Sequence, residues 1–331
     1  MGVPETLPVT AAVELARVER GGFVESRHAG AAIVLNPDGQ VIERLGDTDA
    51  PILPRSSLKP IQALACLAAG AQLKDETLAL ATASHAGTDR HVAVVRDILD
   101  AAGLDERSLQ CPPAWPSDTT TRDALVRAGG EPERLRMNCS GKHAAMLAAC
   151  VAQGWDIATY LDSEHPLQVQ IRELVERLTG ERVQASVVDG CGAPVFALSL
   201  SGLAKAAHRI GSSSERSPFA LHRNAAALVA AVRQHPWTID GPGRADTIAI
   251  EQTGVFAKGG AEGVMIMVAP DGTTAALKML DGSARATSIV ALRLLERAGA
   301  LSAADVSRAR DELPLRVRGG ERDVGVICPA F

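Results

Sequence analysis

The sequence predicts an α/β fold in which a mainly antiparallel sheet, built from both ends of the chain, is flanked by helices. Three observations predict it. Strand-like stretches at residues 12–20, 31–35 and 40–45 surround the turn signal Asn36-Pro37-Asp38-Gly39. A second group of short apolar runs falls near 247–251, 263–268 and 274–279. Between the two groups the chain is rich in alanine and in helical periodicity. No repeat or low-complexity linker interrupts it, and 331 residues suit one large domain, expected over residues 10–330.

Taken in order, residues 51–57 approach a helix over about 57–70, closed by Gly70. Pro60 is compatible with that helix only in its first turn. Ser56 therefore stands at or near a helix N-terminus, where free N–H groups and the macrodipole favour negative charge. A helix over 76–83, a loop over 84–89 and a helix over 91–102 follow. Cys111-Pro112-Pro113-Ala114-Trp115-Pro116 reads as a rigid loop. Asn138-Cys139-Ser140-Gly141-Lys142-His143 leads into an Ala-rich helix ending near Gly154, and residues 165–179 form an amphipathic helix. Val187-Val188 is a short strand before Asp189-Gly190-Cys191-Gly192. Helices over about 194–210 and 218–234 precede the second strand group, and a long helix over 283–298 comes after it.

Composition excludes several functions. A net charge of -5 supplies no basic footprint for nucleic acid, and 3 Trp, 1 Tyr and 5 Phe give little for base stacking. The first residues have neither a basic nor an apolar leader segment. No window approaches the roughly 18 apolar residues of a membrane span, so a cytoplasmic location without membrane contact is expected. There the six cysteines (Cys66, Cys111, Cys139, Cys150, Cys191 and Cys328) stay reduced, available for packing, metal ligation or catalysis.

The densest chemistry begins at Ser56-Ser57-Leu58-Lys59. A serine hydroxyl is a weak nucleophile until a neighbouring base takes its proton. A lysine three residues on is such a base once burial lowers its pKa. Far downstream, Lys258-Gly259-Gly260 precedes the apolar run Val264-Met265-Ile266-Met267-Val268. That order is the one used by penicillin-binding and β-lactamase-type hydrolases. The plain alternative is a helix-capping serine and a solvated lysine. Ser84, in Ser84-His85-Ala86-Gly87-Thr88-Asp89, is either a second proton-shuttling serine or part of a polar turn. Cys139, Lys142 and Cys191 offer two thiols and an amine to a zinc ion with one open position. The amine must then be neutral, against an ordinary lysine pKa of about 10.4. Asp189 either caps its turn or holds a substrate amine. Arg55 either orients a carboxylate or is solvated, and the cluster Glu25-Ser26-Arg27-His28 reads as a surface turn or a pocket wall.

Together these blocks resemble the Rhizobium etli type L-asparaginases. The resemblance rests on Arg20-Gly21-Gly22-Phe23-Val24-Glu25-Ser26-Arg27-His28-Ala29-Gly30, Arg55-Ser56-Ser57-Leu58-Lys59-Pro60 with Gln62, and Ser84-His85-Ala86-Gly87. It continues through Asn138 to His143, Asp189-Gly190-Cys191-Gly192-Ala193-Pro194, Ala257-Lys258-Gly259-Gly260-Ala261-Glu262-Gly263 and Asp281-Gly282-Ser283-Ala284-Arg285-Ala286. It implies a serine β-lactamase-like fold, a homodimer, and hydrolysis of L-asparagine to aspartate and ammonia. It further implies two tandems, Ser56 with Lys59 and Ser84 with Lys258, and a zinc site of Cys139, Lys142 and Cys191. Arg55, Asp189 and His143 are then implied at the substrate. Another Ser-x-x-Lys hydrolase, such as a glutaminase, an esterase or a penicillin-recognising enzyme, is the nearer alternative, although no Ser-Asp-Asn element is present. A non-catalytic metal or small-molecule binding protein is the more distant one.

Overall fold

The computed structural model describes residues 5–331. Strands β1 (Val13–Arg20) and β2 (Phe23–Leu35) form a hairpin across Gly21-Gly22. β2 then turns through Asn36–Gly39 into β3 (Val41–Leu45). The Asn36 side-chain oxygen closes that turn by accepting the N–H groups of Asp38 at 3.1 Å and Gln40 at 2.8 Å, as a turn asparagine does. The first half of β2 is largely exposed, whereas its second half, Ala31 to Leu35, is wholly buried. That buried half receives strands from the other end of the chain.

The short strands β4 (Pro51–Ile52), β5 (Ala185–Val188) and β6 (Pro194–Ser199) form a separate sheet in the order β4-β6-β5. The late strands are β7 (Phe256–Gly260), β8 (Val264–Val268), β9 (Thr274–Met279), β10 (Arg316–Gly319) and β11 (Arg322–Pro329). They complete the main sheet in the order β10-β11-β1-β2-β9-β8-β7, with β3 alongside β2. Every pairing described is antiparallel. The sheet is thus built from both chain ends and flanked by helices, as expected. β7 closes one edge of it.

The helices are α1 (Lys59–Ala68), α2 (Asp75–Ala81), α3 (Asp89–Ala101), α4 (Thr119–Arg127), α5 (Ser140–Gln153) and α6 (Pro166–Thr179). Further along come α7 (Leu200–Gly211), α8 (Ala220–Gln234), α9 (Ala245–Thr253), α10 (Thr287–Arg297) and α11 (Ala303–Glu312). Helices α7 and α10 lie on β8 and β9, and α1 packs among α5, α6 and α8. One continuous apolar core joins the strands to the helices.

Two expected elements take a different form. Residues 247–251 are helical within α9: Ile248 and Ile250 alternate like a strand, but all of Asp246 to Ile250 is buried, so alternation has no exposed face to mark. Left-handed Gly254 ends the helix. Residues 194–199 are strand β6, and helix α7 starts only at Leu200, because the Ser199 hydroxyl caps it by accepting the Gly202 N–H at 2.8 Å. Helices α4 and α11 and strands β10 and β11 were not expected.

At Gly30, opposite Met279, strands from the two chain ends meet closely. A Cβ there would stand 1.9 Å from the Lys278 carbonyl oxygen. Gly30→Val should therefore part β2 from β9 and cost about 1–3 kcal/mol, read as a lowered thermal midpoint; an unchanged midpoint would contradict the close pairing.

Candidate active site

Residues Arg55–Leu58 form a single 3-10 turn that runs directly into α1, with Pro60 in the first helical turn. The two adjacent serines have different fates. Ser57 is buried, and both its hydroxyl (2.7 Å) and its N–H (3.2 Å) bond the Pro54 carbonyl. Ser56 is partly exposed and keeps its hydroxyl available. Arg55 has a φ of 53°, a left-handed backbone that costs a non-glycine residue free energy. Its Nε bonds Asp189 Oδ1 at 2.7 Å, which ties the strained turn to the β5–β6 connection. On its other side the turn touches β7. A Cβ on Gly260 would lie 2.4 Å from the Pro54 carbonyl oxygen, so the last glycine of Lys-Gly-Gly lets the sheet edge reach the Ser56 turn.

Ser84 lies just past α2 in a loop pinned at both ends. Its N–H bonds the Ile239 carbonyl at 2.8 Å, and the next N–H, on His85, bonds Asn138 at 3.1 Å. The His85 ring is wholly buried: Nδ1 accepts the Gly87 N–H at 3.1 Å and Nε2 meets Ser140 Oγ at 2.9 Å. Since Ser140 Oγ donates to the Leu135 carbonyl at 2.8 Å, it accepts from Nε2–H. His85 is therefore neutral, and burial, His91 and Lys59 all hold its pKa down. It anchors the loop.

The Ser84 hydroxyl is shared by two buried amines. Lys59 Nζ stands 3.0 Å from Ser84 Oγ and donates to the Ala83 carbonyl. Lys258 Nζ, from β7, stands 3.0 Å from the same Oγ and donates to the Gly259 carbonyl at 2.5 Å. The expected Ser84–Lys258 tandem is present. The expected Ser56–Lys59 tandem is drawn differently: Lys59 leaves the first residue of α1 toward Ser84, and no hydrogen bond joins it to Ser56 among the described residues. One carboxylate faces the pair. Asp246 lies 3.9 Å from Lys258 Nζ and accepts the Gly259 N–H at 2.6 Å. Burial lowers the Lys258 pKa to about 8, against the opposing pull of Asp246 and with help from Lys59. Asp246 belongs to no motif, and the strand reading of its segment hid it.

Cys139 ends the loop before α5, Lys142 lies in the first turn of that helix, and Cys191 follows Asp189 in the β5–β6 turn. The fold brings the three together. Lys142 Nζ is 2.9 Å from Cys191 Sγ, and all three residues are buried. A hydrogen bond from Cys191, with the charges of Lys59 and Lys142, outweighs burial and holds Cys139 well below the usual thiol range. The same hydrogen bond and burial push the Cys191 thiol up. Burial opposes charge on Lys142, but the two thiols and Asp189 outweigh it and raise its pKa. The donor set suits zinc, which takes sulfur and nitrogen ligands, provided that the amine loses its proton. No group of three or more His, Cys, Asp or Glu side chains suited to a metal occurs among the described residues, so the lysine would be an essential member.

Burial pushes the Asp189 carboxyl up, but the Gly190 N–H, Arg55 and Lys142 together bring it below its ordinary value. His143 is wholly buried, its Nδ1 2.7 Å from Tyr160 Oη. Tyr160 accepts the Gln110 N–H at 3.1 Å and so donates to Nδ1, leaving Nε2–H as a buried donor without a protein partner. A separate cavity of about 580 Å³, lined by Arg293, Val306, Ile327 and Phe331 among others, includes none of these residues.

A family model for L-asparaginase II matches residues 16–329. The chain belongs to the L-asparaginase II family. No curated protein matches the sequence. Solved structures similar to this family member include Mglu in its glutamate form, at 15% identity and a TM-score of 0.46 over 82% of this chain and 61% of that one. A Bacillus glutaminase is 13% identical, with a TM-score of 0.45 over 82% and 91% of the two chains. A β-lactamase from Mycobacterium bovis is 16% identical, with a TM-score of 0.43 over 81% and 94%. The chain thus spans about three-fifths of the length of the Mglu structure. No helix among the described residues is long and apolar enough to cross a membrane.

Among the described residues, Ser84 is the one hydroxyl that touches both amines. Ser84→Ala should lower amide hydrolysis by about 100-fold or more while circular dichroism and thermal midpoint stay close to wild type. Full activity in this variant would rule out a part for the shared hydroxyl in the chemistry.

Proposed function

We propose that this chain hydrolyses the side-chain amide of L-asparagine to L-aspartate and ammonia, with Ser56 as the nucleophile. Family membership supports the reaction class. The observation that carries the mechanism is the chain of contacts Lys59–Ser84–Lys258, set beside a turn in which only Ser56 keeps a free hydroxyl.

Ser56 Oγ bonds to the amide carbon as its proton passes to Lys59. Lys59 hands a proton through Ser84 to Lys258, the amine that burial leaves near neutrality. The Ser57 N–H is taken by the Pro54 carbonyl, so the backbone N–H of Ser56 itself is the donor this reading assigns to the developing oxyanion. When the C–N bond breaks, the proton returns through Ser84 to the departing nitrogen, and ammonia leaves. Water then attacks the Ser56 ester and gives a proton to the same relay. The ester C–O bond breaks, and the serine regains its hydrogen.

Asp189 keeps one carboxylate oxygen for the substrate ammonium, and Arg55 keeps its outer N–H groups for the α-carboxylate. The unpartnered His143 Nε2–H supplies a further donor. Cys139, Lys142 and Cys191 would hold a zinc ion. When bound, it would supply positive charge to orient a polar group of the substrate.

Ser56→Ala should reduce ammonia release from asparagine to background with the fold intact. Absence of ammonia from both asparagine and glutamine in the wild type would overturn the reaction itself. For the metal, elemental analysis of the purified protein should find zinc at about one per chain, as one three-donor site implies. Cys191→Ser should lose it; equal zinc in this variant would displace the site from these residues.

A further inference from the structure

Two buried amines stand on one hydroxyl, and a buried ammonium is stable only beside a compensating charge. The nearest carboxylate is Asp246, 6% exposed, in the first turn of α9. Its Oδ2 makes two contacts at once: it accepts the Gly259 N–H at 2.6 Å, and it stands 3.9 Å from Lys258 Nζ. The first contact fixes the outer side of edge strand β7 immediately after Lys258. The second places a negative charge behind the amine, on which Ser84 Oγ and the Gly259 carbonyl also converge.

We propose that Asp246 is a positioning residue of this site, holding Lys258 Nζ on Ser84 and setting the pH range in which that amine exchanges a proton with the serine. The assignment rests on the amidohydrolase reading above. Asp246 has no hydrogen bond to Ser56 or Ser84 among the described residues, so it acts through Lys258 and the adjoining Gly259 backbone.

The charges around the pair fix the sign of the effect. Burial lowers the Lys258 pKa; Asp246 raises it, Lys59 lowers it, and Asp240 and Cys139 raise it by smaller amounts. Around Asp246 itself, burial favours the protonated acid, Lys258 opposes that, Asp240 reinforces it, and the Gly259 N–H and Arg244 oppose it. Arg244 is in turn bonded to Asp240 at 2.6 Å. Replacing the carboxylate by an amide keeps an acceptor for Gly259 and removes only the charge, so Lys258 should release its proton at lower pH.

Asp246→Asn provides the test. The chain has six lysines, which makes their side chains resolvable by NMR after 13Cε labelling, with Lys258 assigned through Lys258→Arg. In Asp246→Asn the Lys258 resonance should titrate about 1–3 pH units lower than in wild type. The acid limb of kcat/KM should move the same way, with kcat reduced and KM little changed, and Asp246→Glu should restore the wild-type limb. An unchanged Lys258 titration would overturn the proposal, as would a loss of kcat with the acid limb in place. If Asp246→Asn does not fold, Asp246→Ser is read by the same two measurements: a Lys258 titration and acid limb both moved to lower pH support the proposal, and an unchanged Lys258 titration overturns it. The NMR titration needs no turnover, so failure of the enzyme to hydrolyse any amide would reject the reaction and leave this measurement standing.

Discussion

Two lysine amines buried against a single serine hydroxyl are the constraint on which the rest of this site depends. Ser84 Oγ has one proton to donate and lone pairs to accept with, so the Lys59 and Lys258 amines cannot both be fully satisfied as donors by it alone. Neither can both carry charge cheaply, because burial removes the water that would solvate them. In the proposed mechanism, a proton shared along Lys59–Ser84–Lys258 would resolve both problems. It also gives the free hydroxyl of Ser56 a route for its own proton.

That arrangement requires three distant parts of the chain to meet. Lys59 comes from the first residue of α1, Ser84 from the loop after α2, and Lys258 from the edge strand of the sheet. The junction is possible because Gly260 lets β7 approach the Pro54 carbonyl, and because Arg55 accepts a left-handed backbone while bonded to Asp189. The same Arg55–Asp189 contact brings the β5–β6 turn, and with it Cys191, against the start of α5. The two buried lysines on Ser84 and the thiol–amine cluster are therefore adjacent by construction, and Lys59 and Lys142 both favour the Cys139 thiolate.

Much of this was legible in the residues. Ser-x-x-Lys, Lys-Gly-Gly, the Ser84 loop and the cysteine turns each carry local chemistry, and each of their site residues lies in this one region. Turn signals were equally readable, as Asn36 and its two accepted N–H groups illustrate. What escaped were features set by tertiary burial. Ile248 and Ile250 alternate like strand residues, yet they lie in a short helix whose stretch from Asp246 to Ile250 is wholly buried, so no polar face marks its period. Asp246 shares that segment and has no motif around it, so its role beside Lys258 is visible only in three dimensions. The partner chosen by Lys59 is a similar case. Spacing alone allows it to turn to Ser56, whereas the loop position of Ser84 draws it across.

The identity of the nucleophile is the claim on which the mechanism stands or falls. Rapid acid quench during turnover of L-asparagine, followed by peptide mass spectrometry, tests it directly. A β-aspartyl adduct on the peptide containing Ser56, absent from Ser56→Ala, is the expected result. An adduct on Ser84, or an adduct that survives in Ser56→Ala, would contradict it.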